Sequence, residues 1–344
     1  MSHAYQCHTA ELRVERVQRL TPDLHSRVNA LADQAHAADG VRPFGEHKWL
    51  RLLRGDDRFT AVLLWQGPRL VGAAHCHAYH TAAPDRPCRL TTELVVAPDV
   101  RGHGLGRRLL DGAVALACEE GAAQLHAWAY GDLPAARTLA RRFGLEPRRL
   151  LSQYALDAER LPRAASLPSG VRLRGFDPPR DAYVWLALHN RVFSTHPEQG
   201  TWDAGDLQAR LEQPWFNPRD VLIAEDVRTS RMLGFCWVKL PLDERQPGEI
   251  YIVGVDPRLQ GRGLGRAVTM AGLAHIRARG RPGAMLYVEA ENTAAVTMYE
   301  RLGFSRRWQH VCYARHLTMQ DDQAVIDVAD QQHVAHERNV PGHA

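Results

Sequence analysis

A carboxylate at Glu249 and a phenol at Tyr299 flank a glycine-rich segment made of Gln260, Gly261, Arg262, Gly263, Leu264, Gly265 and Arg266. A carboxylate can take a proton, directly or through a water, and a phenol can give one. The glycines add a third capability. An apolar, β-branched run from Ile250 to Val255 leads into them, and a helix-like pattern follows to about Arg279. Such a turn leaves backbone N–H groups unpaired and aims a helix N-terminus at the same point, a geometry that holds a phosphate or pyrophosphate. Without Cβ atoms, the backbone can approach its ligand closely. Two plainer readings stand beside this one: Glu249 as a solvated strand-end carboxylate, and Tyr299 as a packing aromatic on an amphipathic helix.

The pattern occurs twice. Leu94, Val95 and Val96 lead into Gly102, His103, Gly104, Leu105, Gly106 and Arg107. Val96 and Val255, Gly102 and Gly261, and Arg142 and Arg301 are each 159 positions apart (255 less 96, 261 less 102, 301 less 142). A constant offset across separate landmarks marks a duplicated unit of domain size, not a solenoid repeat. At that offset Glu249 falls on Leu90, Gln260 on Arg101, Asn292 on Leu133 and Tyr299 on Ala140. The second copy therefore carries the acid–base pair, while the first keeps only the loop.

The surrounding elements fit this duplication. In the first copy a strand at Leu12–Glu15 and a helix over 22–38 precede a hairpin, Thr60–Trp65 with Leu70–His75. Strand Leu90–Val96, helix Leu105–Glu120, strand Gln124–Ala129, helix Pro134–Arg142 and a last strand Leu150–Ala155 follow. The second copy repeats the order, closing with Trp308–His316. The fold class is thus α/β with a mixed sheet, in two tandem domains. The expected division is a first domain over 1–156 that is catalytically inactive, a proline-rich linker over 157–169, a catalytic domain over 170–318, and a polar disordered tail over 319–344.

Composition narrows the function. A net charge of +4, from 43 Lys and Arg against 39 Asp and Glu, with no basic stripe carrying interleaved aromatics, does not favour nucleic acid. No apolar run approaches the roughly 18 residues of a membrane span, and the amino-terminal residues have no hydrophobic signal core. The six cysteines form no C-x-x-C pair and suit a reduced, cytoplasmic protein. His75 and His77 would share a strand face with Cys76 pointing away, and no distant pair completes four ligands, so no metal is expected.

The loop Gln260–Arg266 resembles the acyl-CoA pyrophosphate loop of the GNAT acetyltransferases. The second copy as a whole is similar to the mycothiol synthase family of tandem GNAT enzymes. The likeness rests on His196-Pro-Glu-Gln-Gly200, Leu233–Lys239, Glu249–Pro257, Gln260–Arg266 and Leu286–Val296, and it spans roughly residues 10–317. It implies acetyl transfer from acetyl-CoA to the cysteinyl amine of cysteinyl-glucosaminyl-inositol, giving mycothiol, by a monomer acting on a small molecule with no nucleic-acid or membrane partner. It also implies that Glu46, Glu198, Lys239, Glu249 and Tyr287 contact the acceptor. Acetyl-CoA would be held by Val253, Gly254 and Val255, by the loop Gln260–Arg266, and by Asn292, Thr293, Ala294, Ala295, Val296 and Thr297. The first copy would offer a second CoA site at Leu94–Val96 and Gly102–Arg107. In that chemistry Glu249 is the base and Tyr299 the acid for the leaving thiolate, and an N–H near Val253–Val255 polarises the thioester. Glu249, Tyr251 and Val253 share a strand face if no bulge intervenes. Alternatives are a GNAT acting on an aminoglycoside or a protein N-terminus, and a non-catalytic acyl-CoA sensor.

Overall fold

The computed structural model describes residues 12–46, 48–50, 59–79, 88–196, 199–200, 202–318 and 321. Most of the expected disordered tail, 319–344, lies outside the described residues. Within it Asp321 is described, and it pairs with Arg315 at 2.7 Å.

The first compact unit contains β1 (Leu12–Val17), α1 (Pro22–Asp39), β2 (Phe59–Gln66), β3 (Arg69–Tyr79), β4 (Arg89–Val96), α2 (Leu105–Glu119), β5 (Gln124–Ala129), α3 (Pro134–Arg142) and the greater part of β12 (Ser305–His316). Its strand order is β1-β2-β3-β4-β5-β12. Only β4 and β5 run parallel. Helix α1 starts at Thr21, whose side chain accepts from the Leu24 N–H, and has Pro22 at its first position. Its apolar side (Val28, Leu31, Ala35) packs on Ala61, Leu63, Ala73 and Val95.

The second unit contains most of β6 (Glu146–Asp157), then β7 (Val171–Gly175), α4 (Pro178–Val192), α5 (Ala204–Leu211), β8 (Val221–Asp226), β9 (Met232–Lys239), β10 (Gly248–Val255), α6 (Leu264–Ala278), β11 (Gly283–Glu289) and α7 (Thr293–Arg301). Its strand order is β6-β11-β10-β9-β8-β7. One sheet face buries Cys236, Val238, Ile250 and Leu286 against Leu264, Val268, Leu273 and Ile276 of α6 and Tyr299 of α7. The other buries Phe235, Trp237 and Ile252 against Trp185 and Leu188 of α4, Leu207 of α5, and Trp202. Helix α6 lies close on the sheet because residue 272 is glycine; a Cβ there would collide with Cys236 Sγ and Ile250. Helix α5, absent from the sequence reading, begins with a reciprocal capping box between Asp203 and Asp206.

The closing strands are exchanged between the sequence halves. The strand expected to end the first domain, β6, pairs antiparallel with β11, from Gly283↔Asp157 to Glu289↔Leu151. The strand expected to end the second, β12, pairs with β5, from Val311↔Ala129 to His316↔Gln124. The compact units accordingly comprise residues up to 149 together with those from 310, and residues 150–309. Two copies of one topology end in strands of like pattern, so local periodicity does not say which sheet each joins. The segment read as a linker also begins with a packed turn: Leu161 is buried in the second unit's core, and its carbonyl accepts from Arg277 Nη1 at 2.6 Å.

Candidate active site

In the second unit, Gly261 and Gly263 take φ values of +77° and +78°, a region where L side chains are strained. A Cβ at either position would meet no protein atom within 4 Å, so the cradle is open. None of the backbone N–H groups from Gly261 to Arg266 donates to a described carbonyl; the ladder of α6 begins with Ala267 N–H on Gly263 O at 3.1 Å. This converging set of donors fits the pyrophosphate of acetyl-CoA. Asp256 at the head of the loop is held in its charged form, first by Arg258 and also by Arg231, at 2.7 and 2.8 Å. Asn292 caps α7, its side-chain oxygen accepting from Ala295 N–H at 3.2 Å. Thr293, Ala294 and Thr297 are exposed on the first turns, with Ala295 and Val296 half-buried.

The strand register gathers the acceptor residues expected from the sequence. Lys239 faces Glu249, and Glu249 faces Met285. Two residues along, Tyr287 faces Gln153. Paired residues, and residues two apart, share a sheet face. Lys239, Glu249, Tyr287 and Gln153 therefore share the face opposite the α6–α7 core. Lys239 Nζ stands 4.8 Å from the Trp215 ring centroid and 5.3 Å from that of Tyr251. The Tyr251 hydroxyl accepts from Arg210 Nε at 2.9 Å, and the buried Arg210 guanidinium lies 3.7 Å over Trp202. His196 approaches Glu289 at 3.9 Å. Glu46 belongs to the first unit and is half-buried. Glu198 lies outside the described residues.

Between these two assemblies the sheet divides. The parallel pairing of β10 with β11 covers only Gly248↔Ala284 to Ile250↔Leu286. Beyond it β10 continues with β9 and β11 continues with β6, leaving a wedge. The register of β10 on β9 also shifts between Ile250 and Ile252, a bulge at Tyr251. The conditional expectation that Glu249, Tyr251 and Val253 share a face is thus corrected. Tyr251 and Ile252 both pack on the α4–α5 side, and Val253 turns to the α6–α7 side. Tyr299 lies on that second side, 6% exposed. Burial, with Cys236 beside it, raises its pKa well above the ordinary phenol value, so it keeps its proton. The carboxylate and the phenol thus lie on opposite faces of the sheet.

The first unit keeps the cradle, with Gly102 and Gly104 at φ +83° and +82° and His103 exposed between them. Leu105 and Gly106 open α2, and the N–H groups of 102–107 donate to no described carbonyl. Arg101, at the place of Gln260, is tied to Asp39 by two bonds of 2.7 and 2.8 Å. The bulge is absent: β3 and β4 pair without a shift from Tyr79↔Arg89 to Gly72↔Val96. On this ladder the 159-residue comparison slips by one. Glu249 faces Lys239, five residues beyond Gly234, whereas the residue facing His77, five beyond Gly72, is Thr91 and not Leu90. Neither is a carboxylate. The nearby buried carboxylate, Glu93, accepts from Lys48 Nζ at 2.8 Å, Tyr130 Oη at 2.7 Å and Gly45 N–H at 2.9 Å.

Sequence reasoning named Tyr251 only as a strand neighbour of Glu249 and did not single out Arg210, Trp215, Gln153 or Glu289, which the structure places beside the expected acceptor residues. Tyr251 alternates with Glu249 and could have been singled out; Gln153 is visible only once β6 is known to pair with β11. Among the described residues no group of three or more His, Cys, Asp or Glu is placed to hold a metal, and no helix is long and apolar enough to cross a membrane.

A glycine cradle at a helix start, beside parallel strands that part, defines an acetyl-CoA-dependent N-acetyltransferase of the GNAT type. The GNAT acetyltransferase family matches residues 25–145 and the FR47-like family residues 239–313. The solved tandem GNAT protein of the clavulanic acid pathway superposes with a TM-score of 0.68 at 18% identity, over 89% of this chain and 98% of that one. A GCN5-related N-acetyltransferase from Sphaerobacter thermophilus gives 0.64 at 20% identity, over 89% of this chain and 95% of that one. These two likenesses speak to the fold. Sequence relatives are nearer. The mycothiol acetyltransferase of Thermobispora bispora is 45% identical, covering 86% of this chain and 98% of that protein. That of Acidothermus cellulolyticus is 42% identical, covering 87% and 93%. The chain belongs to the mycothiol acetyltransferase family.

Proposed function

We propose that this chain moves the acetyl group of acetyl-CoA onto the cysteinyl amine of cysteinyl-glucosaminyl-inositol, the step that yields mycothiol. Bound acetyl-CoA supplies an acyl group activated as a thioester; the rest is the work of the second unit's side chains. Glu249 takes the proton of an ammonium whose ordinary pKa is about 7.7 to 8.0, a small cost near neutrality. Lys239 and Tyr287, with Glu198, hold the polar acceptor. The N–H groups of Gly261–Arg266 hold the pyrophosphate, with Val253–Val255 and Asn292–Thr297 along the donor. Tyr299 keeps a proton ready for the leaving sulfur. The first unit binds acyl-CoA through Leu94–Val96 and Gly102–Arg107 without catalysing transfer.

The observation that carries this reading is the two-sided wedge, with the acceptor row and Glu249 on one face and Tyr299 on the other. An amine screen with acetyl-CoA tests it. CoA should be separated by chromatography, because a cysteinyl acceptor has its own thiol. Cysteinyl-glucosaminyl-inositol should turn over far faster than aminoglycosides or peptide N-termini. Preference for one of those would overturn the acceptor assignment, and no turnover with any amine would leave the sensor reading.

A further inference from the structure

We propose that Gln153 is a positioning residue for the acceptor, acting through Tyr287, and that the exchanged strand β6 thereby completes the acceptor face of the second unit. This rests on the acceptor reading above. Gln153 lies outside 170–318, the stretch that sequence alone marks as the catalytic domain. Register nevertheless sets it opposite Tyr287. Its Nε2 donates to the Tyr287 hydroxyl at 3.0 Å and lies 3.7 Å from Met285 Sδ.

Tyr287 is 40% exposed, so packing holds it only partly. A hydroxyl that accepts from Gln153 must send its own single proton elsewhere, away from that amide. The glutamine therefore orients the phenol as a donor and limits its rotamers before the acceptor arrives. A polyhydroxylated acceptor gains from such preorganisation, since ordering an exposed side chain on binding otherwise costs affinity. The pyrophosphate cradle is built from the backbone of 261–266 and shares no group with Gln153. The effect should fall on the acceptor and not on the donor.

The test is kinetic, on the full-length protein with acetyl-CoA and cysteinyl-glucosaminyl-inositol. Gln153→Met keeps the bulk of the side chain and removes the amide. It should raise the acceptor KM about 2- to 13-fold, the fold-change of one ordinary hydrogen bond. The acetyl-CoA KM and kcat should stay within about twofold, because no donor contact is touched. Tyr287→Phe should behave alike, and the double variant should be no worse than Tyr287→Phe alone, since the residues act as one unit. An unchanged acceptor KM in Gln153→Met, additive losses in the double variant, or an equal rise in the acetyl-CoA KM would each overturn the proposal. Failure of the wild-type protein to use this acceptor would count against the acceptor reading instead; the same cycle, run on the amine found by the screen, would then decide the role of Gln153.

Discussion

Replacing Tyr299 with Phe removes one oxygen from a ring that is 6% exposed. The ring meets Phe304 edge-on at 5.8 Å, and that contact survives the change. The fold should therefore tolerate the variant, with a stability change within about 1 kcal/mol. The chemical step should suffer more. A thiol has an ordinary pKa of about 8.5, so its thiolate can leave unaided, though at a cost. General acid catalysis contributes about 100- to 10,000-fold. For so tolerable a leaving group the loss belongs at or below the lower part of that scale, about 10- to 1000-fold, or roughly 1.4 to 4 kcal/mol of barrier.

The environment of Tyr299 adds a pH signature. Burial beside Cys236, itself pushed up to about 12, raises the pKa of the phenol, so the proton stays on through the working range. Wild-type kcat should show no downturn from tyrosine ionisation below pH of about 10. Single-turnover CoA release measures the rate, and calorimetry the acetyl-CoA affinity. A Tyr299→Phe rate within twofold of wild type, or a rate loss matched by an equal loss of acetyl-CoA affinity, would refute the assignment of the acid.

Glu249→Gln should lower turnover near neutrality and move the pH optimum upward, as the amine must then lose its proton to solvent; an unmoved pH–rate profile removes Glu249 from the mechanism. Gly263→Val should raise the acetyl-CoA KM by at least about tenfold through strain at positive φ and crowding of the phosphates, while Gly104→Val should leave turnover nearly intact; loss of activity in a folded Gly104→Val protein would return catalysis to the first copy. Buried His189 and His310 each titrate near 4 instead of 6.5, burial being the first cause. The folded state then binds fewer protons than the unfolded chain between those values, so stability is full above about 6.5 and falls toward pH 4, by up to about 3 kcal/mol per histidine. Urea titrations across that window check this, and a flat curve would contradict it.

The elements that carry the site were legible because their signals are local. The loops show in glycine spacing, α6 in its apolar stripe, and β10 in its β-branched run. Lys239, Glu249 and Tyr287 could be chosen as one set through resemblance, and strand register brings them to one face. Other features escaped because they depend on distant partners. The bulge at Tyr251 has no marker in β10 itself; it appears only against Trp237 and Val238 of β9. Arg210 sits on a short helix whose one strong signal is its capping box, and its partner Tyr251 is 41 residues away. The exchange of β6 and β12 is a choice between two nearly equivalent sheet edges, made by long-range pairing.

The same features support the proposed division of labour, in which the first unit holds acyl-CoA without transferring its acyl group. A phosphate cradle asks only for backbone N–H groups and left-handed glycines, and Gly102 and Gly104 still supply them. Transfer asks for more. In the second unit β10 leaves β11 after three paired residues, and the bulge at Tyr251 puts Tyr251 and Ile252 on one face and turns Val253 to the other. In the first unit β4 stays on β5 through five pairs, to Glu93↔Trp128, with no inserted residue on the β3 side. The wedge begins later there, and its nearest buried carboxylate is occupied. Glu93 already holds Lys48, Tyr130 and an amide N–H, and removing it would take a close carboxylate from a buried ammonium. A carboxylate already accepting from three donors has few lone pairs open to an incoming amine. Restoring a glutamate at Thr91, the ladder position of Glu249, would therefore not make the first unit an acetyltransferase, because the bulge and the wider wedge would still be missing.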